Sequence, residues 1–245
     1  MASRLLSLSG VTRRCLEIAF VAAALTGCAV SPQPTPPGER PVISPEGFVG
    51  VESITELFVG LSGLPGTVRP GGGVVIATDL ETTDEPATAP VADDGSFTVG
   101  VNTIGRDEIR IQAENEDGRS DPFDAVWDRG SYDVPRRPRA LCLFVEPATH
   151  AAIGPNRTLE IVVRSECVDD VAFRAPRFRR GTLGFDVTPA DAFELATGES
   201  HALTVRAPSD AGAEDVLFVE TLDDPSDRRP ITLYTPSTDP AASAD

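Results

Sequence analysis

Beyond about Val49 the chain is written in short runs of alternating apolar and polar positions, interrupted by Gly, Pro, Asn and Asp. In "PVADDGSFTVGV" (90–101), Phe97, Val99 and Val101 fall two apart; in "DEIRIQAENEDGRSDPF" (107–123), Ile109, Ile111 and Ala113 do the same. A period of two puts such a set on one face of a strand. Asp94-Gly95 and Asp117-Gly118 follow the pattern of tight hairpin turns. "LFVGL" (57–61) and "GVVIATDL" (73–80) are rich in apolar and β-branched residues and also predict strands. A second series comprises "LCLFVE" (141–146), "RTLEIVVRSE" (157–166), "VAFRAP" (171–176), "SHALTVRAP" (200–208), "DVLFVETL" (215–222) and "RPITLYT" (229–235). Leu159, Ile161 and Val163 share a face, as do Leu203 and Val205. Sustained helical periodicity is absent after the first 27 residues, so the pattern predicts an all-β chain of sandwich type.

The two series are separated by "DRGSYDVPRRPRA" (128–140), where Gly, Pro and charge break the alternation. The expected organisation is one sandwich over 49–135, a linker over 136–140 and a second sandwich over 141–236. Each is large enough to bury its own core. Ahead of them "AVSPQPTPPGERPVISPEG" is dominated by Pro and polar residues, so 28–48 is expected to be an extended, disordered tether. The tail, 237–245, is expected to be disordered as well.

Residues 1–27 have a different composition. Arg4, Arg13 and Arg14 precede the apolar run "IAFVAAAL" (18–25), a positive region followed by a hydrophobic one. The run is well short of the about 20 apolar residues that a spanning helix requires. It ends in Leu25-Thr26-Gly27-Cys28, which resembles the lipobox of bacterial lipoproteins: an apolar residue, two small ones, then cysteine. The resemblance implies cleavage between Gly27 and Cys28 and a diacylglycerol on the Cys28 thiol, with the new amine acylated by a fatty acid such as palmitate. A thiolate is the nucleophile such an alkylation needs, and more than one acyl chain gives stable membrane attachment. Ala29 stands where the family's inner-membrane retention signal has Asp, so an outer-membrane address is expected.

The chain carries a net charge of −17, which becomes −19 once Arg4, Arg13, Arg14 and Glu17 leave with the leader. Such a balance repels nucleic acid and anionic lipid, so neither is an expected partner through general electrostatics. Every basic residue is Arg; Lys is absent.

Two further resemblances concern the sandwiches. "GTVRPGGGVVIATDL", "PVADDGSFTVGV" and "DEIRIQAENEDGRSDP" together resemble a bacterial immunoglobulin-like repeat of envelope proteins. The carboxypeptidase-regulatory-like sandwich shares the DGSF turn. "GTLGFDV" (181–187), "FELATGESHALTVRAPSDAG" (193–212) and "LDDP" (222–225) resemble the Hydin/major-sperm-protein-like group, with Ala207 where that group usually has Phe. The resemblances imply two tandem immunoglobulin-like β-sandwich domains and bring no catalytic residue.

Cys15 leaves with the leader and Cys28 is assigned to lipid, which leaves Cys142 and Cys167. They lie symmetrically about "IGPN" (153–156), so an antiparallel pairing of "LCLFVE" with "RTLEIVVRSE" would set them opposite each other. A disulfide is favoured over two buried thiols, and a metal site lacks ligands at zinc-like spacing. The acidic clusters "ADDGS" (92–96), "ENEDGRSD" (114–121), "CVDD" (167–170) and "LDDPSD" (222–227) match no calcium loop, and turn chemistry accounts for the Asp-Gly pairs. Catalytic machinery is thin: His150 and His201 are the only histidines, and "GLSGL" (60–64) departs from a nucleophile elbow at Leu64. Trp127, Tyr132 and Tyr234 offer little platform for a sugar. Arg136, Arg137, Arg139, Arg174, Arg177, Arg179 and Arg180 are the only basic concentrations, expected to pair with nearby carboxylates rather than to bind an anion. The expectation is a non-catalytic binding or structural module for protein–protein interaction or adhesion, anchored to a membrane by lipid, with a protein partner in the envelope and no cofactor or metal. The rival is a ligand-binding module for carbohydrate or calcium, and an enzyme ranks last.

Overall fold

Phe97, Val99 and Val101 are buried on one face of strand Phe97–Asn102, as their period of two requires. The computed structural model describes residues 38–55, 58–103, 107–128, 131–133, 140–181, 183–224 and 227–237. Among these the one helical element is the single turn Pro45–Gly47. Strand Phe97–Asn102 pairs with Phe58–Gly63, which pairs with Phe48–Thr55, making a three-stranded antiparallel sheet. The facing sheet runs Ala87–Pro90, Val74–Asp79, Glu108–Asn115, Phe123–Asp128, Ser131–Asp133, again antiparallel throughout. Val59, Leu61, Val75, Ala77, Ile109, Ile111 and Ala113 complete the core between them. Phe48 stacks on Phe123 at 4.9 Å and meets Phe97 edge-on at 5.7 Å, closing one end. Gly100 is needed within its strand because the Phe58 ring occupies the space a Cβ would take.

The second sandwich pairs Leu143–Glu146, Thr158–Ser165, Ser200–Arg206 and Asp186–Thr188 in that order. Its facing sheet runs His150–Ala152, Arg228–Tyr234, Glu214–Glu220, Arg177–Phe178. The chain leaves Leu143–Glu146 and crosses at once to the other sheet, where His150–Ala152 runs parallel to Arg228–Tyr234. Ile161, Val163, Leu203, Val205, Leu217, Val219, Ile231 and Leu233 fill the core, with Phe173 and Leu195 from a small two-stranded side sheet. A first strand divided between two sheets, with the order first–second–fifth–fourth on one of them, is immunoglobulin-like topology. The first sandwich, three strands facing a sheet with five along its main order, belongs to the same architecture. The protein is all-β, built of immunoglobulin-like sandwiches.

Asp117-Gly118 turns the chain as expected, with Asn115 facing Gly118 and the Asn115 amide oxygen accepting the Asp117 N–H at 3.0 Å. Asp94-Gly95 also forms a tight turn: the Asp94 carboxylate accepts the Ser96 N–H at 2.9 Å, and Gly95 takes φ +82° where a Cβ would strike the Val68 carbonyl. Its two arms, however, enter opposite sheets instead of pairing as a hairpin. A turn reverses the chain but does not choose the edge on which the next strand pairs. Here burying Phe97, Val99 and Val101 draws that strand to the edge of Phe58–Gly63.

The expected tether also needs correction over its described part, 38–48. Val42–Ile43 pairs with Val68–Arg69, and Ile43 and Phe48 pack against the first core. Proline-rich composition hid two apolar residues with a ready partner edge.

Cys142 and Cys167 form a disulfide, S–S 2.03 Å. The pairing that brings them together is antiparallel as expected, with Leu143 opposite Ser165. The cysteines sit just beyond the ladder, where the Glu166 N–H donates to the Cys142 carbonyl at 2.8 Å. The bond closes a loop with a sequence separation of 25. Reduction should therefore lower the urea-unfolding free energy of the second sandwich by about 2–4 kcal/mol while leaving it folded. An unchanged urea midpoint after complete reduction would contradict this.

Candidate functional site

Strand Glu108–Asn115 is buried on both faces although its sequence alternates apolar and polar. Ile109, Ile111 and Ala113 face the first core; Glu108, Arg110 and Gln112 lie on the other face, where Glu108 and Arg110 meet the second sandwich and Gln112 donates to the Ser120 carbonyl at 3.1 Å. Strand Glu214–Glu220 is its counterpart: Leu217 and Val219 serve the second core, while Val216 and Phe218 cluster with Leu80 of the first sandwich. The two sheets face each other across a shared layer. Three apolar side chains are a small part of it, and arginines supply the rest.

Arg110, 2% exposed, is gripped by Asp124 on the neighbouring strand through Nε at 2.7 Å and Nη2 at 2.8 Å. Its Nη1 donates to the Pro230 carbonyl at 2.8 Å, the Thr149 carbonyl at 3.2 Å and the Thr232 hydroxyl at 3.2 Å. The first sandwich thus neutralises the guanidinium and the second receives its remaining N–H groups. Arg228 reverses the direction. It donates from the second sandwich to Glu81 at 2.7 Å and to Glu108, 1% exposed, at 2.9 Å, with its guanidinium over the Phe218 ring at 4.7 Å. Arg119 bridges Glu114 of its own strand pair to Glu214 at 2.7 Å and lies 4.1 Å above the Tyr234 ring. Arg179 donates to the carbonyls of Asp79, Thr82 and Asp84 at 2.8–3.0 Å. Burial alone would lower the pKa of Arg119 and Arg228, but in each case the paired carboxylates outweigh it and raise it. For Arg179, whose partners are mostly carbonyls, burial prevails and the pKa falls. Guanidinium suits this role because its planar donors are satisfied by several acceptors at once.

Beside the joint lies Asp79, 4% exposed, with its carboxylate accepting the Glu81 N–H at 2.8 Å and the Thr82 N–H at 3.3 Å. Burial, and next to it the like charge of Asp107, push its pKa up to about 7, against the N–H bonds that pull it down. A cleft of about 370 Å³ opens at the edge of the joint, bounded by Arg40, Ile43, Arg119, Asp121, Phe123 and His150. His150 meets the Thr149 hydroxyl at 3.1 Å and lies 3.7 Å from Asp121; burial lowers its pKa and keeps it neutral at pH 7. Ser120, the hydroxyl in that lining, is buried and accepts the Ala113 N–H at 2.9 Å. His201 is elsewhere, stacked on Phe193 at 4.1 Å. Ser62 lies within strand Phe58–Gly63, its hydroxyl hydrogen-bonded to that of Thr98 at 2.9 Å.

Of the arginines singled out in sequence, Arg177 pairs with Glu220 at 2.9 Å, Arg180 with Glu85 at 3.4 Å, and Arg179 enters the joint; Arg136, Arg137 and Arg139 lie outside the described residues. So do Gly27 and Cys28. The acidic clusters bring together no group of three or more His, Cys, Asp or Glu able to hold a metal, among the described residues. Arg110, Arg119 and Arg228 were missed because each reads as the solvent position of an alternating strand or as part of a turn. The one available signal was the continuous apolar run "DVLFVE", which marks a strand covered on both sides.

Neither a protein-family model nor a curated protein matches the chain. Among solved structures it is similar to WR4, a C. elegans MSP family member, at 13% identity and TM-score 0.33, over 38% of this chain and 97% of that one. It is also similar to a protein of unknown function from Porphyromonas gingivalis W83, at 9% identity and TM-score 0.30, over 80% and 100%. A third is the Yersinia pseudotuberculosis adhesin InvE, at 13% identity and TM-score 0.26, over 73% and 54%, so this chain spans about half of that structure. The immunoglobulin-like assignment rests on the strand order given above.

Arg110→Met should cost about 3 kcal/mol in urea unfolding, because it removes the buried cation that balances the half-buried Asp124. Removing both charges, with Arg110→Met and Asp124→Leu, should recover most of that loss; a double variant as unstable as the single one would refute the pairing. Asp79 gives a pH-dependent expectation. Its folded pKa is raised from 3.8, so the stability it contributes is present below that value and is lost as pH rises through about 7. Asp79→Asn keeps the acceptor for Glu81 and Thr82 and cannot ionise. Its unfolding midpoint relative to the parent should rise between pH 5 and pH 8, and a pH-independent difference would disprove the assignment.

Proposed function

We propose that this chain is a lipid-anchored envelope protein, its anchor on Cys28 in the outer membrane, working as a non-catalytic binding or structural module. The observation that carries the module reading is the arginine joint. Arg110, Arg119, Arg179 and Arg228 spend buried charge on fixing one sandwich against the other. Buried ion pairs of this kind add little stability beyond a well-packed apolar layer, but they specify one arrangement. A fixed pair of sandwiches displays its end loops at a constant separation, which suits a module that spans or grips a protein partner. The anchor reading is supported by the order of charged region, apolar run and Leu25-Thr26-Gly27-Cys28.

Two experiments test these readings. Labelled fatty acid should enter the parent chain and not Cys28→Ser, which should remain as precursor or appear in the soluble fraction; label retained in the variant would defeat the anchor. Cross-linking of the anchored chain in intact membranes should give a discrete protein adduct. Failure to cross-link to any protein would defeat the interaction reading.

A further inference from the structure

At one end of the second sandwich, Leu141 and Val168 each adjoin a cysteine of the disulfide, and each is 92% exposed. Leu222, on the loop after strand Glu214–Glu220, is 51% exposed. The backbone beneath them is pinned. The Thr197 hydroxyl donates to the Cys167 carbonyl at 2.6 Å and the Val168 carbonyl at 3.1 Å. The Leu222 N–H donates to the Ala172 carbonyl at 2.8 Å. The Ala140 N–H donates to Asp227 at 2.9 Å, and Arg229 donates to the Ala140 and Leu143 carbonyls at 2.8 and 2.9 Å. Leu143, Phe173 and Leu195 already fill the core at this end, so the three exposed side chains are held in place without serving the fold. Leu141 and Val168 flank one disulfide, and Leu222 is bonded to the segment that follows Val168, so the three apolar groups share one end of the sandwich.

The rim of that surface is acidic in a repeated way. Val168-Asp169-Asp170 and Leu222-Asp223-Asp224 carry the same order, apolar then two aspartates, and all four aspartates are exposed. The bridge of Phe173 with Thr221 sets the two loops antiparallel to each other, so the acidic pairs lie on adjoining strips. They compose no metal-binding group among the described residues. An apolar centre with an acidic rim complements a protein surface of the reverse pattern. A second copy docked by a two-fold axis would set aspartate against aspartate. A bilayer would take up the apolar side chains and gain nothing from the aspartates.

We propose that this tip docks a protein segment in which apolar side chains alternate with Arg or Lys, an inference that rests on the binding-module reading above. The test uses the full chain and three immobilised synthetic peptides, alternating Leu-Arg, Leu-Glu and Ser-Arg. The chain should bind the Leu-Arg peptide alone, less tightly as salt is raised. Leu141→Ser with Val168→Ser should weaken binding at least tenfold, and Asp169→Asn with Asp223→Asn several-fold, with melting temperatures unchanged. Asp93→Asn with Asp117→Asn, equally exposed but on the first sandwich, should leave binding as it was, which separates the tip from general acidity. Equal binding by all variants, or no binding to the Leu-Arg peptide, would overturn the proposal. So would binding to neutral phosphatidylcholine vesicles, or self-association, that disappears with Leu141 and Val168. A protein cross-linked elsewhere on the body while the Leu-Arg peptide fails would overturn the tip and keep the module reading; absence of both would overturn the two together.

Discussion

A guanidinium buried between two sheets must have its charge balanced and its N–H groups accepted, and Arg110 meets that requirement in one arrangement of the two sandwiches. Asp124, one strand away in the same sheet, balances the charge before the second sandwich is considered. The carbonyls of Thr149 and Pro230 then have to arrive where Nη1 points. Sliding one sheet over the other by one residue would leave Nη1 without its acceptors, a cost of about 1–3 kcal/mol that an apolar contact of similar size does not impose. Arg228 repeats the requirement from the opposite side with Glu81 and Glu108. The joint is therefore specified in register from both directions.

Collecting arginine inside this layer also shapes the outer surface. The chain has 21 basic residues against 38 acidic ones, and four of the arginines are buried in the joint. Their carboxylate partners range from Glu108, 1% exposed, to Glu81, 36% exposed. The exposed aspartates Asp169, Asp170, Asp223 and Asp224 belong to that general acid excess and are set apart by their three apolar neighbours. Asp79 is the exception: buried beside Asp107, it is the acidic group of the joint whose charge depends on pH near neutrality.

Much of the fold was legible in single strands. Phe97, Val99 and Val101, and Leu159, Ile161 and Val163, lie on the faces their spacing predicts because side-chain alternation is a local property of extended backbone. The turn at Asp117-Gly118 and the pairing that unites Cys142 with Cys167 depend on residues close in sequence, and both were legible for that reason. The strand Phe97–Asn102 was legible as a strand but not as a member of the sheet it joins.

The candidate sites were legible to a smaller degree. Alternation reports that two faces differ in polarity; it does not report that the polar face is open to water. Glu108, Arg110 and Gln112 have the spacing of a solvated face, and a second sheet from more than a hundred residues away covers them. Leu141, Val168 and Leu222 show the converse, apolar residues in sequence that the packing leaves outside. Local spacing was sufficient to define strands, turns and which cysteines remain to pair. Which polar groups are buried and which apolar groups are displayed was decided by the meeting of distant sheets, because burial is a property of the surface that arrives and not of the residue that waits for it.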